Sequence, residues 1–163
     1  MFDKPTFVIA PATLTNGVVE VGILARLTPD APPISWALAG VAYRINAEAT
    51  AFEAVYLRAL NGQSLNPPPP RDQRAVQYFA YPDWDFERLR QTHLEGSYEA
   101  GADIRPDTWV NLRLEIDDRR LVAFVDGQRV LAVDGKLDPV AGAIGLWVDI
   151  GTEAYFCNLR VIG

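Results

Sequence analysis

Residues Trp109 to Ile116 read WVNLRLEI, and that stretch decides the fold. Val110, Leu112, Leu114 and Ile116 fall on one side of an extended chain, while Asn111, Arg113 and Glu115 fall on the other. A period of two with one apolar side is the mark of a strand with one face on a core. Working outward, Asp117 to Arg120 turns into Leu121 to Val125, and Asp126-Gly127 predicts a two-residue hairpin turn. Glycine accepts the positive φ that such a turn demands. Arg129 to Val133 returns, Ala143 to Ile150 follows, and Ala154 to Ile162 closes the chain. Short strands separated by turns about every ten residues indicate an all-β sandwich or barrel.

The N-terminal half fits the same plan. Val18 to Leu27 (VVEVGILARL) follows the turn pair Asn16-Gly17, so Phe7-Val8-Ile9 is expected to be its hairpin partner. Gly40 to Ile45 alternates, with Val41, Tyr43 and Ile45 on one side and Ala42 and Arg44 on the other. Four prolines, Pro67 to Pro70, keep the chain extended before a short strand, Ala75 to Phe79. Two stretches carry helical signals. Ala47 to Leu60 is rich in helix formers, with Phe52, Val55, Tyr56 and Ala59 at helical spacing. As a strand it puts Phe52, Ala54, Tyr56 and Arg58 on one face and Glu53, Val55 and Leu57 on the other. Asp83 to Glu95 is a second helix candidate, with Asp83 as N-cap and Phe86, Leu89 and His93 on one stripe.

The 163 residues fit one domain, 1–163, with neither repeat nor linker. An apolar share of 49% with 22% charged residues is that of a globular chain. A net charge of −6 argues against a nucleic-acid partner, which a basic surface would draw. Apolar runs are too short for a membrane span, so no membrane partner is expected. Met1 to Pro5 lacks a basic segment leading into an apolar core, which gives a cytoplasmic chain or an exported one trimmed of its signal. Cys157 has no cysteine to pair with. Oligomeric state is not legible.

The series GVAYR (40–44), FEAVYLRALNG (52–62), AVQYFAYPDW (75–84), YEAGADI (98–104), TWVNLRLEI (108–116), VAFVDGQRVL (122–131) and GAIGLWVDIGTEAYFCNLRV (142–161) resembles the concanavalin A-like lectin/glucanase superfamily. Within it the chain is most similar to the bacterial domains of 3-keto-disaccharide hydrolase type, over roughly residues 16 to 162. The resemblance implies a two-sheet antiparallel jelly-roll sandwich with a face that commonly holds carbohydrate, and makes Ala47 to Leu60 a strand. Phe156-Cys157-Asn158 stands where those relatives read Phe-Asp-Asn.

Retaining glucanases of this fold carry Glu-x-Asp-x-x-Glu on one strand, which places two carboxylates about 5–5.5 Å apart on one face. Here Glu115-Ile116-Asp117 begins the motif, but Arg120 stands at its third acid, so a retaining glucanase is not expected and Glu115 and Asp117 read as solvated charges. Sugars stack their C–H faces on aromatic rings while planar arginine, amide and carboxylate groups bridge hydroxyls. On that chemistry the ligand-binding candidates are Arg44, Tyr56, Arg58 and Gln77, with Tyr78, Trp84 and Tyr98. Glu99 is the candidate catalytic base, with Arg44 or Arg58 holding a developing negative charge. Against this, Arg44 and Arg58 also suit structural ion pairs, and at least two of Tyr43, Tyr56, Tyr78 and Trp147 are expected in the core.

No metal or cofactor motif is present, and the lone His93 gives little material for either. Asp149, two residues before Gly151, is a candidate for a structural calcium ligand. The partner class is therefore a saccharide or sugar-derived small molecule, taken by a binding domain or by a hydrolase-like enzyme. A structural or protein-interaction domain is the alternative. Convergence of Arg44, Arg58, Gln77 and Glu99 in one open pocket would decide among them.

Overall fold

The computed structural model describes residues 6–163. Its strands are β1 (Thr6–Leu14), β2 (Gly17–Leu27), β3 (Leu38–Ile45), β4 (Phe52–Arg58), β5 (Val76–Tyr81), β6 (Glu99–Ala100), β7 (Val110–Asp117), β8 (Arg120–Val125), β9 (Gln128–Asp134), β10 (Gly142–Val148) and β11 (Thr152–Ile162). A single α-helix among the described residues, α1 (Phe86–Thr92), lies between β5 and β6. The strands form a six-stranded sheet in the order β1-β10-β3-β4-β5-β6 and a five-stranded sheet in the order β11-β2-β7-β8-β9. Every strand pair is antiparallel. The architecture is the all-β sandwich that the alternating pattern predicts. No helix among the described residues is long and apolar enough to cross a membrane.

The main core lies between the two sheets. Leu112 and Leu114 of β7, Val19 and Val21 of β2, and Val55 of β4 are fully buried there. Truncating one such leucine to alanine would cost about 2–5 kcal/mol. The Asp126-Gly127 turn has φ of 48° and 80° and joins β8 to β9 as a two-residue hairpin.

Three sequence expectations are corrected. Phe7 to Ile9 does not pair with the strand that follows it: β1 pairs with β10 and β2 with β11 and β7. Asn16-Gly17 passes the chain from one sheet to the other, because Ala10 and Leu14 of β1 and Val19 and Val21 of β2 all bury in the common core. Ile45 does not share a face with Val41 and Tyr43. Arg44 has φ 52°, and the register shifts between Ala143 and Gly145, so Ile45 turns over to join Ala42, Phe52 and Ala54. The helix begins later than Asp83: Asp85 is the N-cap, accepting from the Arg88 backbone N–H at 2.8 Å. Trp84 still pairs with Ala80, which holds the chain out of the helix until then.

Ala47 to Leu60 is extended over β4, after a turn at its start. All seven β4 residues are buried, since the strand lies between β3 and β5 with both faces covered. Tertiary burial on two faces outweighs a per-residue helix preference of at most about 0.7 kcal/mol. β4 thus carries Glu53, Val55 and Leu57 toward the core and Phe52, Ala54, Tyr56 and Arg58 toward the outer face.

Candidate functional site

On that outer face one row of residues crosses the six-stranded sheet. Trp147 of β10 is opposite Gly40 of β3, Gly40 is opposite Tyr56 of β4, Tyr56 is opposite Gln77 of β5, and Gln77 is opposite Glu99 of β6. Side chains in register on one face must meet. Gly40 is the gap in the row. A Cβ there would fall 2.1 Å from the Val55 carbonyl oxygen and 2.5 Å from Tyr56 Cα. With nothing between them, the Tyr56 and Trp147 rings lean across β3 and stack at 5.1 Å with an interplanar angle of 28°. Phe79 packs against both rings, at 5.5 and 5.7 Å.

This row underlies a groove of about 550 Å³. Trp36, Leu38, Tyr56, Phe79 and Trp147 give its apolar lining, and Phe86 of α1 stands on its rim, 43% exposed. Arg58, Arg71, Arg74 and Arg90 line it as well, with Asp85 and Asp149. Three of these arginines converge on Glu99. Arg58 Nη1 donates to Glu99 Oε1 at 3.3 Å, Arg90 Nε to the same oxygen at 3.0 Å, and Arg74 Nε lies 3.3 Å from Oε2. Arg90 Nη2 also pairs with Oε1. Arg58 further donates to Tyr56 Oη at 2.8 Å, Gln77 Oε1 at 3.3 Å and the Arg74 carbonyl at 3.2 Å. Arg71 lies over the Trp36 ring at 4.4 Å and bonds Asn61 and the Leu60 carbonyl.

Burial pushes the Tyr56 hydroxyl up to about 12, an effect that the nearby Arg58 cation only partly opposes. At neutral pH the hydroxyl keeps its proton, and while it accepts from Arg58 it donates to no protein group among the described residues.

The sequence candidates divide into two groups. Tyr56, Arg58, Gln77 and Glu99 come together, although Gln77 is wholly buried beneath Arg58 and holds it rather than lining the groove. Arg58 is itself 6% exposed, so it is not a solvated surface arginine. The others lie elsewhere. Arg44 is buried at the end of the sandwich, paired with Glu53 at 3.1 Å and donating to the carbonyls of Thr15 and Asp118. The β-bulge at Arg44 turns it away from the groove. Tyr78 and Tyr98 face the core between the sheets, in keeping with strand alternation beside Gln77 and Glu99. Tyr78 Oη donates to Glu53 Oε1 at 2.5 Å, and burial raises its pKa far above the ordinary tyrosine value. Trp84 is held between Arg88 at 4.2 Å and Lys136 at 4.6 Å, so its ring is taken up by protein cations.

Glu115 and Asp117 belong to β7 of the other sheet, away from the groove, and Glu115 pairs with Arg113. Asp149 lines the groove and accepts from the Ile150 N–H at 2.8 Å. Among the described residues, no three His, Cys, Asp or Glu side chains come together as a metal site would require. Sequence reasoning missed Trp36, Arg71, Arg74, Phe86 and Arg90. Phe86 and Arg90 are one helical turn apart and so share a face, a signal that the helix expected over 83–95 already carried. Arg71 and Arg74 come from a loop, where no periodicity points anywhere.

No protein-family model and no curated protein sequence matches the chain. Solved structures do. Carbohydrate-binding module CBM66 from Bacillus subtilis superposes with a TM-score of 0.69 at 17% identity, over 96% of this chain and 81% of that one. A Bacillus subtilis protein of unknown function with a galectin-like fold gives 0.61 at 12% identity, over 99% and 79%. Sheep galectin-11, solved with glycerol, gives 0.56 at 9% identity, over 99% and 100%. At these identities the likeness is one of fold alone, a two-sheet antiparallel β-sandwich.

Proposed function

We propose that this chain is a carbohydrate-binding β-sandwich domain whose groove on the six-stranded sheet holds a saccharide. The observation that carries the reading is the row Trp147–Gly40–Tyr56–Gln77–Glu99, which builds an aromatic floor beside a fan of arginines in one open groove. Aromatic rings offer apolar surface to the C–H face of a sugar, here the exposed Phe86 and the half-buried Trp36 above the nearly buried Tyr56 and Trp147, and fixed guanidinium donors bridge its oxygens. Structural neighbours that include a carbohydrate-binding module and a galectin support the same class of ligand.

Turnover of a keto-sugar, as the narrower family resemblance implies, asks Glu99 to serve as a base. Its two oxygens are instead engaged by three arginines, so the residue organises guanidinium groups. Titration with a panel of oligosaccharides, read by tryptophan fluorescence, tests the proposal. Binding by the native chain and a loss of roughly tenfold or more in Trp147→Ala, whose ring forms the floor, is the expected result. Saturable binding that Trp147→Ala leaves untouched would place the ligand elsewhere.

A further inference from the structure

Beyond saccharide binding, and resting on that reading, we infer that the groove selects a saccharide carrying an oxyanion, a carboxylate or a sulfate ester, over its neutral counterpart. The chain as a whole is acidic, at −6. Its groove is not. Four arginines line it against Asp85, Asp149 and the underlying Glu99. Around Glu99 alone, three guanidiniums share one carboxylate within 3.3 Å, which leaves positive charge in excess at that end of the groove.

The donor accounting points the same way. Arg90 commits Nε and Nη2 to Glu99, Arg74 commits Nε, and Arg71 commits Nε and Nη2 to Asn61 and Leu60. The remaining terminal nitrogens of these side chains bond no protein acceptor among the described residues. The Arg74 and Arg90 side chains are 32% and 29% exposed, so those nitrogens have access to solvent and to a ligand. A guanidinium fixed at one edge and open at the other is preorganised for a planar or multidentate oxyanion. Neutral hydroxyls need one such donor, not several with like charge. The aromatic floor lies on the same row, one strand over from Arg58's partner Gln77, so a sugar ring on Tyr56 and Trp147 can bring a substituent to the arginines.

The rival account is that Arg58, Arg74 and Arg90 simply clamp β6 and α1 to the sheet through Glu99. A direct test compares an oligogalacturonate, its fully methyl-esterified form and a sulfated oligosaccharide, alongside the neutral panel. The expected result is that the acid binds roughly tenfold more tightly than the ester. The preference should shrink as salt is raised to about 0.5 M. In Arg74→Gln it should fall severalfold with little change in melting temperature, since a partly exposed pair contributes little to stability. Preference for the sulfated sugar over the carboxylate also upholds the inference and names sulfate as the anion. Equal affinity for acid and ester, or binding of neutral glycans alone, overturns it and leaves the saccharide reading standing. If no glycan of any kind binds, both fall.

Discussion

The six-stranded sheet holds two arginine–glutamate pairs of nearly equal length that face different surroundings. Arg44 and Glu53, 3.1 Å apart and 2% and 0% exposed, are sealed at the end of the sandwich. Arg58 and Glu99, 3.3 Å apart with side chains both 8% exposed, lie under an open groove. Every partner of the first pair is structural. Arg44 ties down the Thr15, Asn16 and Asp118 loops, and Glu53 takes the Tyr78 hydroxyl. The second pair is shared with two further arginines that reach solvent and with a tyrosine on the groove floor. A buried ion pair is thus no guide to function by itself. What surrounds it, protein on every side or a groove on one, decides.

The widest separation between the two ends is expected in Glu53→Ala. It leaves the Arg44 guanidinium buried beside an empty site, and removing one member of such a pair costs about 3–5 kcal/mol. Urea unfolding should show that loss, while glycan affinity of the folded fraction stays at the native level. A native midpoint would mean that water or a shifted loop replaces Glu53, and the sealed end would be no more rigid than the groove.

Arg58→Ala should show a smaller fall in stability and a real fall in binding. Glu99 keeps Arg74 and Arg90, so the cost is that of the lost bonds to Tyr56, Gln77 and the Arg74 carbonyl, about 1–3 kcal/mol. Binding should weaken by about 1.5–3 kcal/mol, the range for hydrogen bonds to a charged group. Melting curves and glycan titrations on one preparation separate the effects. A mutant that melts lower yet binds as the native chain does would make Arg58 a structural twin of Arg44.

The two arginines also mark how far the sequence could be read. Alternation over residues 110–116 and the Asp126-Gly127 turn gave the sandwich, because local period and turn chemistry survive in any tertiary setting. Alternation on β4 likewise put Tyr56 beside Arg58. Arg44 misled for a local reason, since its positive φ resets the alternation after Tyr43 and nothing in Tyr43-Arg44-Ile45 announces a bulge. The β1 partner was misread because a turn signal says that the chain reverses, not which sheet it enters. Arg71, Arg74 and Trp36 reach the groove from loops, and only long-range packing brings them there.

Alkaline titration separates the two ends by a different property. An unfolded tyrosine titrates near 10, whereas burial raises Tyr56 to about 12 and holds Tyr43 and Tyr78 well above the ordinary value too. Above pH 10 the unfolded chain therefore gives up protons that the folded chain retains. Stability is full below that pH and falls by about 1.4 kcal/mol per unit for each such tyrosine until its folded pKa is passed. Tyr56→Phe should remove the part of the slope that ends near pH 12, and Tyr78→Phe a part that continues beyond it. Urea midpoints between pH 9 and 12 that stay flat would show that neither hydroxyl is held in its neutral form by burial.

The smallest expected effect is at Glu115, and its smallness is informative. Glu115 and Asp117 are the only remnant of the glucanase motif, yet β7 lies in the five-stranded sheet, on the far side of the core from the groove. Glu115 points away from that core, 45% exposed along its side chain, and pairs with Arg113, itself partly exposed. An ion pair of that kind contributes about 0–1 kcal/mol once solvent screening is counted. Glu115→Gln keeps the side chain's shape, so stability should change by no more than about 0.5 kcal/mol and glycan affinity not at all. Glu53 and Glu99 are both under a tenth exposed and each anchors an arginine. Glu115 opens the glucanase pattern, but with Arg120 at its third acid the sequence already read it as a solvated charge. Turnover of a β-glucan that Glu115→Gln abolished would reverse the ranking of the three glutamates and move the chemistry to the other sheet. An unchanged mutant keeps function on the face where the arginines meet the aromatic row.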